Sequence, residues 1–101
     1  DVCSSDLVVK SYHGRRPMAV GTGSEHRMAE MLLRHLGLFN CFDAIVGADD
    51  VQRHKPEPDT FLRCAELIGV RPEKCVVFED ADFGIQAAKS AGMAVVDVRT
   101  L

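Results

Sequence analysis

Four short apolar runs constrain the fold of this 101-residue chain more than any other feature. None of them alternates apolar with polar residues: Met18–Val20, Ala44–Val46, Cys75–Phe78 and Ala94–Val96. Continuous apolar runs of this length are typical of strands that are buried on both faces of a parallel sheet. Segments with helical periodicity separate the runs. The chain therefore predicts strands that alternate with helices in a layered α/β domain.

The first helical segment follows the first apolar run. Ser24 is a good N-cap residue, and Gly37 is a good helix stop. Between them, Met28, Leu32 and Leu36 recur at helical spacing and fall on one face. We expect that face to pack on the sheet.

Two more helices are predicted by their end signals. Pro58 suits the first turn of the second helix, and Gly69 suits its end, with Phe61, Ala65 and Ile68 on one face. Asp82 is the predicted cap of the third helix, which runs to Ala91 and stops at Gly92. The small residues Ala87, Ala88 and Ala91 would let this helix approach the sheet closely.

Composition places the chain among soluble globular proteins and limits its partners. It is 47% hydrophobic and 27% charged, with a net charge of -3, which argues against a broad basic surface for nucleic acid. No apolar run approaches the length of a membrane span. The four cysteines form no zinc-like spacing, so we expect a reduced, cytoplasmic protein. We also expect the complete protein to be a monomer.

The first seven residues resemble the translation of a common DNA sequencing adapter. We therefore exclude residues 1–7 from the fold and treat residues 8–101 as the C-terminal part of a core domain. Val8 onward reads as the middle of an element, so we expect the gene to continue upstream.

Three polar clusters occur just after predicted strands. In open α/β sheets, binding sites form at these carboxyl ends of the strands. The first cluster is Gly21–Ser24, directly after the first apolar run. Thr22 offers a hydroxyl, and the glycines allow the backbone to approach an anion closely at a helix start. A tight turn with a helix cap is the structural alternative, and this cluster alone favours it.

The second cluster is centred on Lys55, in the sequence His54-Lys55-Pro56-Glu57-Pro58. Two prolines stiffen the entry to a helix, and a lysine held there can neutralise a phosphoryl group. An ordinary surface lysine before a helix is the alternative. We interpret His54 as a solvated loop residue.

The third cluster is Glu79-Asp80, directly after the third apolar run. Adjacent carboxylates at the end of a buried strand suit a hard cation such as Mg²⁺, which prefers oxygen ligands. The alternative is a solvated acidic turn before the next helix. An uncompensated acidic pair is costly in a low-dielectric setting. The metal site is favoured because the pair then enters residues 82–88 through an abrupt strand-to-helix turn.

Together these clusters resemble the second, third and fourth motifs of the haloacid dehalogenase superfamily. The residues that carry the resemblance are Thr22 after a strand, Lys55 in a Lys-Pro-x-Pro context, and Glu79-Asp80 before Gly-Ile-Gln-Ala-Ala. The sequence around these motifs is similar to the β-phosphoglucomutase-like branch. Within that branch it is most similar to bacterial phosphatases of fructose 1-phosphate and related sugar phosphates. The resemblance covers about residues 8–101.

The resemblance implies a fold, a reaction and roles for individual residues. The fold is a Rossmann-like three-layer α/β/α domain with a parallel sheet in the strand order 5-4-1-2-3. The reaction is Mg²⁺-dependent hydrolysis of a small sugar phosphate through an aspartyl-phosphate. Thr22, Gly23 and Ser24 would bind the phosphate, Lys55 would neutralise the nucleophile and the phosphoryl group, and Glu79 and Asp80 would hold Mg²⁺. Thr22 and Lys55 are the residues assigned to catalysis.

The chain departs from the family pattern at its N-terminal side. The Asp-x-Asp-x-Thr motif with the nucleophile, its central strand and the cap domain are all absent from the sequence. Asp80-Ala81-Asp82 imitates Asp-x-Asp, but it lacks the threonine and comes after Lys55. We therefore expect the chain by itself to be inactive and poorly folded.

Three alternatives remain beside the phosphatase. Phosphoryl transfer of the β-phosphoglucomutase type uses the same core motifs. A phosphoacceptor receiver module also uses Thr, Lys and an acidic pair, but it puts the acidic pair first. It also needs a lone acceptor aspartate, whereas Asp49-Asp50 reads as a loop. The last alternative is a non-catalytic α/β module.

Overall fold

The computed structural model describes residues 14–100, so the predictions for residues 1–7, for Val8 and for the C-terminal Leu101 lie outside it. Within that range the chain alternates strands and helices as expected. The strands are β1 (Ala19–Gly21), β2 (Ala44–Val46), β3 (Val76–Glu79) and β4 (Ala94–Asp97). The helices are α1 (His26–His35), α2 (Asp59–Ile68) and α3 (Asp82–Ser90). Short 3₁₀ turns span Phe39–Cys41, Ala48–Asp50, Pro72–Lys74 and Val98–Thr100.

The strands form two separate parallel pairs. β1 pairs with β2, in a register that places Ala19 opposite Ala44. β3 pairs with β4, in a register that places Val76 opposite Ala94. Within residues 14–100 no ladder joins β1 to β3. The predicted α/β class with parallel strands is confirmed, but the expected single sheet is present here as two halves.

A cavity lies between the two strand pairs. Its volume is about 580 Å³, and residues of β1 and β3 line it together with apolar side chains of α2. Val76 and Phe78 line this cavity and remain 56% and 44% exposed, so the prediction that the third run is buried on both faces is wrong here. The two side chains lie on one face of β3, two residues apart, and that face borders the cavity.

Helix α2 joins the two halves. It packs against β1 and β2 and also touches α3, which in turn packs on β3 and β4. Phe61 and Ala65 of α2 share a core cluster with Ala87 and Ala88 of α3, both of which are fully buried. The predicted close approach of the alanine-rich helix is therefore confirmed.

Helix α1 buries a different face from the predicted one. Met28, Leu32 and Leu36 are 58%, 57% and 50% exposed, whereas Ala29 and Leu33 are buried. The reason is that α1 packs against β2 through this smaller stripe, and the larger side chains point away from it.

The helix starts also differ from the predicted caps. Glu25, not Ser24, is the N-cap of α1, and it makes no side-chain cap bond. Ala81 occupies the cap position of α3, because the Asp82 carboxylate instead accepts a hydrogen bond from Arg99 at 2.9 Å. The predicted stops are confirmed, since Gly37, Gly69 and Gly92 all follow their helices at positive φ, where glycine is favoured.

Candidate active site

The ammonium group of Lys55 lies between the carboxyl ends of β1 and β3. Its Nζ donates to the Gly21 carbonyl oxygen at 3.2 Å and to Glu79 Oε2 at 3.0 Å. It also lies 4.8 Å from the centre of the Phe61 ring, at a distance that favours a cation–π contact. The side chain is only 20% exposed. Lys55 therefore connects the two strand pairs by a side-chain contact at the edge where the sequence predicted a site.

Glu79 holds the turn that follows its own strand. While Oε2 accepts from Lys55, Oε1 accepts from the amides of Asp80 and Ala81 at 3.0 and 3.2 Å. The Glu79 side chain is 10% exposed, and it lies against Gly84 of α3. Any Cβ at position 84 would overlap the Glu79 carboxylate, so this packing requires glycine. In the sequence, the only sign of this role for Gly84 is a glycine in the first turn of a predicted helix, which is too weak to predict the contact with Glu79.

The neighbouring Asp80 is placed differently from Glu79. It is exposed, and its carboxylate makes no hydrogen bond or ion pair within residues 14–100. The two adjacent carboxylates thus differ: one is engaged by protein groups, and the other is open to an external ligand. No group of three or more metal-ligating side chains is found in the same part of the chain. Of these two carboxylates, Asp80 is the one whose oxygens accept no hydrogen bond from the described residues.

The loop after β1 contains the predicted phosphate-binding residues. The Thr22 amide donates to the Val46 carbonyl at 2.9 Å, and the Ser24 amide donates to Thr22 Oγ1 at 3.1 Å. Among the described residues no partner is found for the Gly23 amide or the Ser24 hydroxyl. Since Gly21 is bonded to Lys55, this loop begins one residue from the lysine contact.

Asp49 and Asp50, which the sequence predicts as part of a loop, lie beside this region. Asp49 and Asp50 form the end of the 3₁₀ turn after β2, and both bond to His26 at the start of α1. No local pattern could have shown this, because the partners are more than 20 residues apart in the sequence. His54 is exposed as predicted, but it also bonds to the Ala48 carbonyl oxygen at 2.8 Å.

Cys64 of α2 is the buried thiol near this site. Burial raises its pKa to about 11, although the positive charge of Lys55 opposes that shift. A thiol with so high a pKa is protonated at neutral pH and is a poor nucleophile. Cys64 therefore contributes packing at the site, where its Sγ would lie 3.2 Å from a Cβ added at Gly21.

Comparison with known proteins identifies the family. A sequence model of the haloacid dehalogenase-like hydrolases matches residues 7–92. The chain belongs to this family. It is 71% identical over 94 residues to the fructose-1-phosphate phosphatase YqaB of Escherichia coli, covering 93% of this chain and 50% of that protein. It is 43% identical over 79 residues to the β-phosphoglucomutase of Bacillus subtilis, covering 78% of this chain and 35% of that protein.

Solved structures of haloacid dehalogenase relatives agree with this assignment. A putative β-phosphoglucomutase from Thermotoga maritima is 41% identical, with a TM-score of 0.80 over 90% of this chain and 42% of its own. A superfamily hydrolase from Geobacter sulfurreducens is 26% identical, with a TM-score of 0.83 over 90% of this chain and 47% of its own. The predicted fold class and the resemblance are confirmed, and the match decides against the receiver module. The chain spans about half the length, or less, of the relatives it matches.

None of the helices within residues 14–100 combines the length and the apolar character that crossing a bilayer requires.

Proposed function

We propose that this chain supplies the phosphate-binding and metal-binding half of a Mg²⁺-dependent sugar-phosphate phosphatase. The observation that carries the proposal is Lys55, whose Nζ lies within 3.2 Å of both Gly21 O and Glu79 Oε2. This contact gathers the loop after β1 and the acidic turn after β3 around one positive charge. Family membership supplies the hydrolase chemistry.

The proposed roles follow from what each side chain has free. The Gly23 amide and the hydroxyls of Thr22 and Ser24 would bind phosphate oxygens, because donors fixed in a loop need little rearrangement. Lys55 would neutralise charge on the attacking carboxylate and on the transferring group. The nucleophile of the complete protein would be an aspartate outside this chain, on a strand between β1 and β3. The cavity of about 580 Å³ there supports that placement.

The acidic turn fits Mg²⁺ in part. Mg²⁺ is commonly held by one or two carboxylates together with waters and substrate phosphates. Asp80 offers an open carboxylate, whereas both oxygens of Glu79 already accept hydrogen bonds. We therefore propose Asp80 as the direct ligand. Glu79 would bind the ion through a water molecule, or directly if one of its oxygens gives up its hydrogen bond from Lys55. The ion would supply charge neutralisation at the transferring phosphoryl group.

The substrate class is proposed from the relatives. Besides the Escherichia coli protein, a phosphorylated-carbohydrates phosphatase of Thermotoga maritima is 44% identical over 79 residues, covering 78% of this chain and 37% of that protein. We propose small sugar phosphates, with fructose 1-phosphate first, as substrates of the complete protein. The Bacillus subtilis relative supports β-phosphoglucomutase-type transfer as the second candidate. The composition also supports a cytoplasmic protein without nucleic-acid or membrane partners, which we expect to be monomeric when complete.

The test is a chimera that joins residues 8–101 to the remaining half of the Escherichia coli relative. An identity of 71% makes the joined surfaces compatible. We expect Mg²⁺-dependent release of inorganic phosphate from fructose 1-phosphate, abolished by chelation. A folded chimera that releases no phosphate from any sugar phosphate would overturn the proposal. Formation of sugar bisphosphate and isomerised sugar phosphate in place of free phosphate would establish the mutase. If no product of either reaction forms, the chain is a non-catalytic module.

A further inference from the structure

The acidic residues after β2 fasten the start of α1. Asp49 Oδ1 accepts a hydrogen bond from the His26 amide at 2.8 Å. Asp50 Oδ2 lies 2.6 Å from His26 Nδ1 and also accepts from the Gly47 amide at 2.8 Å. A carboxylate that accepts a hydrogen bond from a backbone amide in the first turn stabilises the helix, because the N–H groups of that turn have no partner in the helix and carry a partial positive charge. Here the carboxylates come from a neighbouring strand's turn.

Backbone hydrogen bonds tie the same two segments on either side of this contact. The Thr22 amide donates to Val46 O at 2.9 Å, and the Ala48 amide donates to Ser24 O at 2.8 Å. The loop Thr22–Ser24 is thus attached at both ends to β2 and its turn. The approach is close enough that a Cβ at Gly47 would overlap the backbone of His26.

The charges around His26 favour an ion pair with Asp50. The hydrogen bond to Asp50, opposed by partial burial, raises the pKa of His26, with further support from the charges of Asp50, Asp49 and Glu30. The Gly47 amide and His26 lower the pKa of Asp50, and Arg63 adds to this effect. Among the described residues, Asp49, Glu30 and Arg63 are the other charged groups that act on the pair.

These contacts determine which hydrogen-bond donors remain open at the loop that binds phosphate in the proposed function. Because Asp49 occupies the His26 amide, that amide is not available to a ligand. The donors left open at this loop are the Gly23 amide and the hydroxyls of Thr22 and Ser24, and their positions depend on where α1 begins. The same turn contacts the lysine loop, since His54 bonds to Ala48 O.

We propose that His26, Asp49 and Asp50 are positioning residues, together called the loop lock, which hold Thr22–Ser24 in the geometry that binds phosphate. This rests on the proposed function. The lock touches no substrate; it acts through the start of α1 and the turn Ala48–Asp50. Its effect on phosphate affinity weakens as pH rises through the His26 titration, because neutral His26 keeps the hydrogen bond but loses the charge.

The experiment compares variants of the chimera by their affinity for inorganic phosphate at fixed pH. Asp49→Ala removes the acceptor for the His26 amide, and we expect about a five-fold loss of phosphate affinity, the size of a typical helix-cap effect. Asp49→Asn keeps an oxygen acceptor and should restore most of it. His35→Gln, at the other end of α1 and exposed, is the histidine control and should bind phosphate like the parent.

The pH series uses sulfate as an inhibitor, because its charge is constant over this range. In the parent and in His35→Gln, sulfate affinity should fall as pH rises through the raised pKa of His26, and in His26→Gln that step should be missing. Equal phosphate affinity in Asp49→Ala and Asp49→Asn, or an unchanged step in His26→Gln, would overturn the loop lock while leaving the phosphatase proposal intact. A folded parent chimera that binds no phosphate would instead remove the proposed function, and the loop lock with it.

Discussion

The two strand pairs organise their carboxyl ends in opposite ways. After β3, Glu79 bonds to the amides of the next two residues, so the strand fixes its own turn. After β1, backbone hydrogen bonds attach the loop to β2 and its turn, and the carboxylates of Asp49 and Asp50 bond to His26 where the next helix starts. The first arrangement is local in the sequence, and the second spans more than 20 residues. Lys55 is the side chain whose contacts reach both ends.

This difference separates two kinds of dependence. The turn after β3 keeps its shape as long as Glu79 can lie across Gly84. The loop after β1 keeps its shape only when β2, its turn and α1 are all in place. The proposed phosphate-binding side should therefore be more sensitive to distant changes, and the proposed metal-binding side more sensitive to changes at the strand end itself.

Replacing Lys55 by alanine should have the largest effect, because it separates the two ends. In the chimera we expect a loss of at least about 100-fold in kcat, typical of removing one preorganised charge stabiliser. We also expect unfolding free energy to fall by about 3 kcal/mol, because Glu79 is left largely buried without its partner. Steady-state kinetics and chemical denaturation measure the two losses.

The double variant Lys55→Met with Glu79→Gln separates these losses. It removes both charges and should recover most of the stability, while activity stays low. Recovery of turnover in the double variant would contradict the role of Lys55 in charge neutralisation.

Asp80→Asn should reduce activity nearly as much as Lys55→Ala does, but it should hardly change the free energy of unfolding. The carboxylate makes no protein contact within residues 14–100, so its loss removes only the proposed metal ligand. We expect about a 100-fold lower kcat and a higher Mg²⁺ requirement, since an amide is a weaker ligand. Glu73→Gln, exposed before β3 instead of after it, is the acidic control. Equal Mg²⁺ titrations for Asp80→Asn and the parent would refute the assignment.

Two buried glycines offer one alanine substitution on each side of the comparison. Gly47→Ala meets the backbone of His26, whereas Gly84→Ala meets the side chain of Glu79, which can swing away. We expect Gly47→Ala to lose about 2 kcal/mol of stability, in the usual range for overpacking, and Gly84→Ala to lose less. We expect Gly84→Ala to lose more activity than Gly47→Ala, because displacement of Glu79 breaks its contact with Lys55. Gly23→Ala, with open space around it, controls for the stability measurement.

The smallest predicted effect is the pH dependence of stability from the His26–Asp50 pair. His26 has a raised pKa, so its contribution is complete below about 6.5 and is lost as pH rises through the folded-state value. Asp50 has a lowered pKa, so its contribution is complete above about 3.8 and is lost as pH falls through its folded-state value. For a half-exposed pair the difference stays within about 1 kcal/mol. Denaturation of the parent and His26→Gln from pH 5 to 9 measures it, and a constant difference over that range would contradict it.

Local patterns in the sequence predicted most of the scaffold. All the apolar runs form strands within a residue of their predicted limits, and Gly37, Gly69 and Gly92 follow their helices. The α1 face was predicted wrongly because Met28 and Leu32 are hydrophobic at helical spacing, whereas the face that is buried carries Ala29 and Leu33. Ser24 was a reasonable cap by residue type, but Asp49 takes the amide from a distant position.

The candidate site shows the same division. Glu79-Asp80 and Lys55 could be found because each stands at or near a strand end, where parallel sheets place their polar groups. The pairing of Asp49 and Asp50 with His26 could not be found, because it depends on the parallel register that brings Gly21 opposite Val46. A charge pair across a sheet edge has no periodicity in the sequence.

We predict that the two strand pairs, which α2 already joins through a shared core cluster, unfold as one cooperative unit only when a further strand lies between them. Thermal unfolding of residues 8–101 alone, followed by far-ultraviolet circular dichroism beside the chimera, tests it most directly. We predict a broad, non-cooperative signal change for the chain alone and a sharp transition for the chimera, because within residues 14–100 no ladder joins β1 to β3 across the cavity, and strand edges without partners destabilise a sheet. A sharp transition for residues 8–101 alone, at the temperature of the chimera, would contradict the claim.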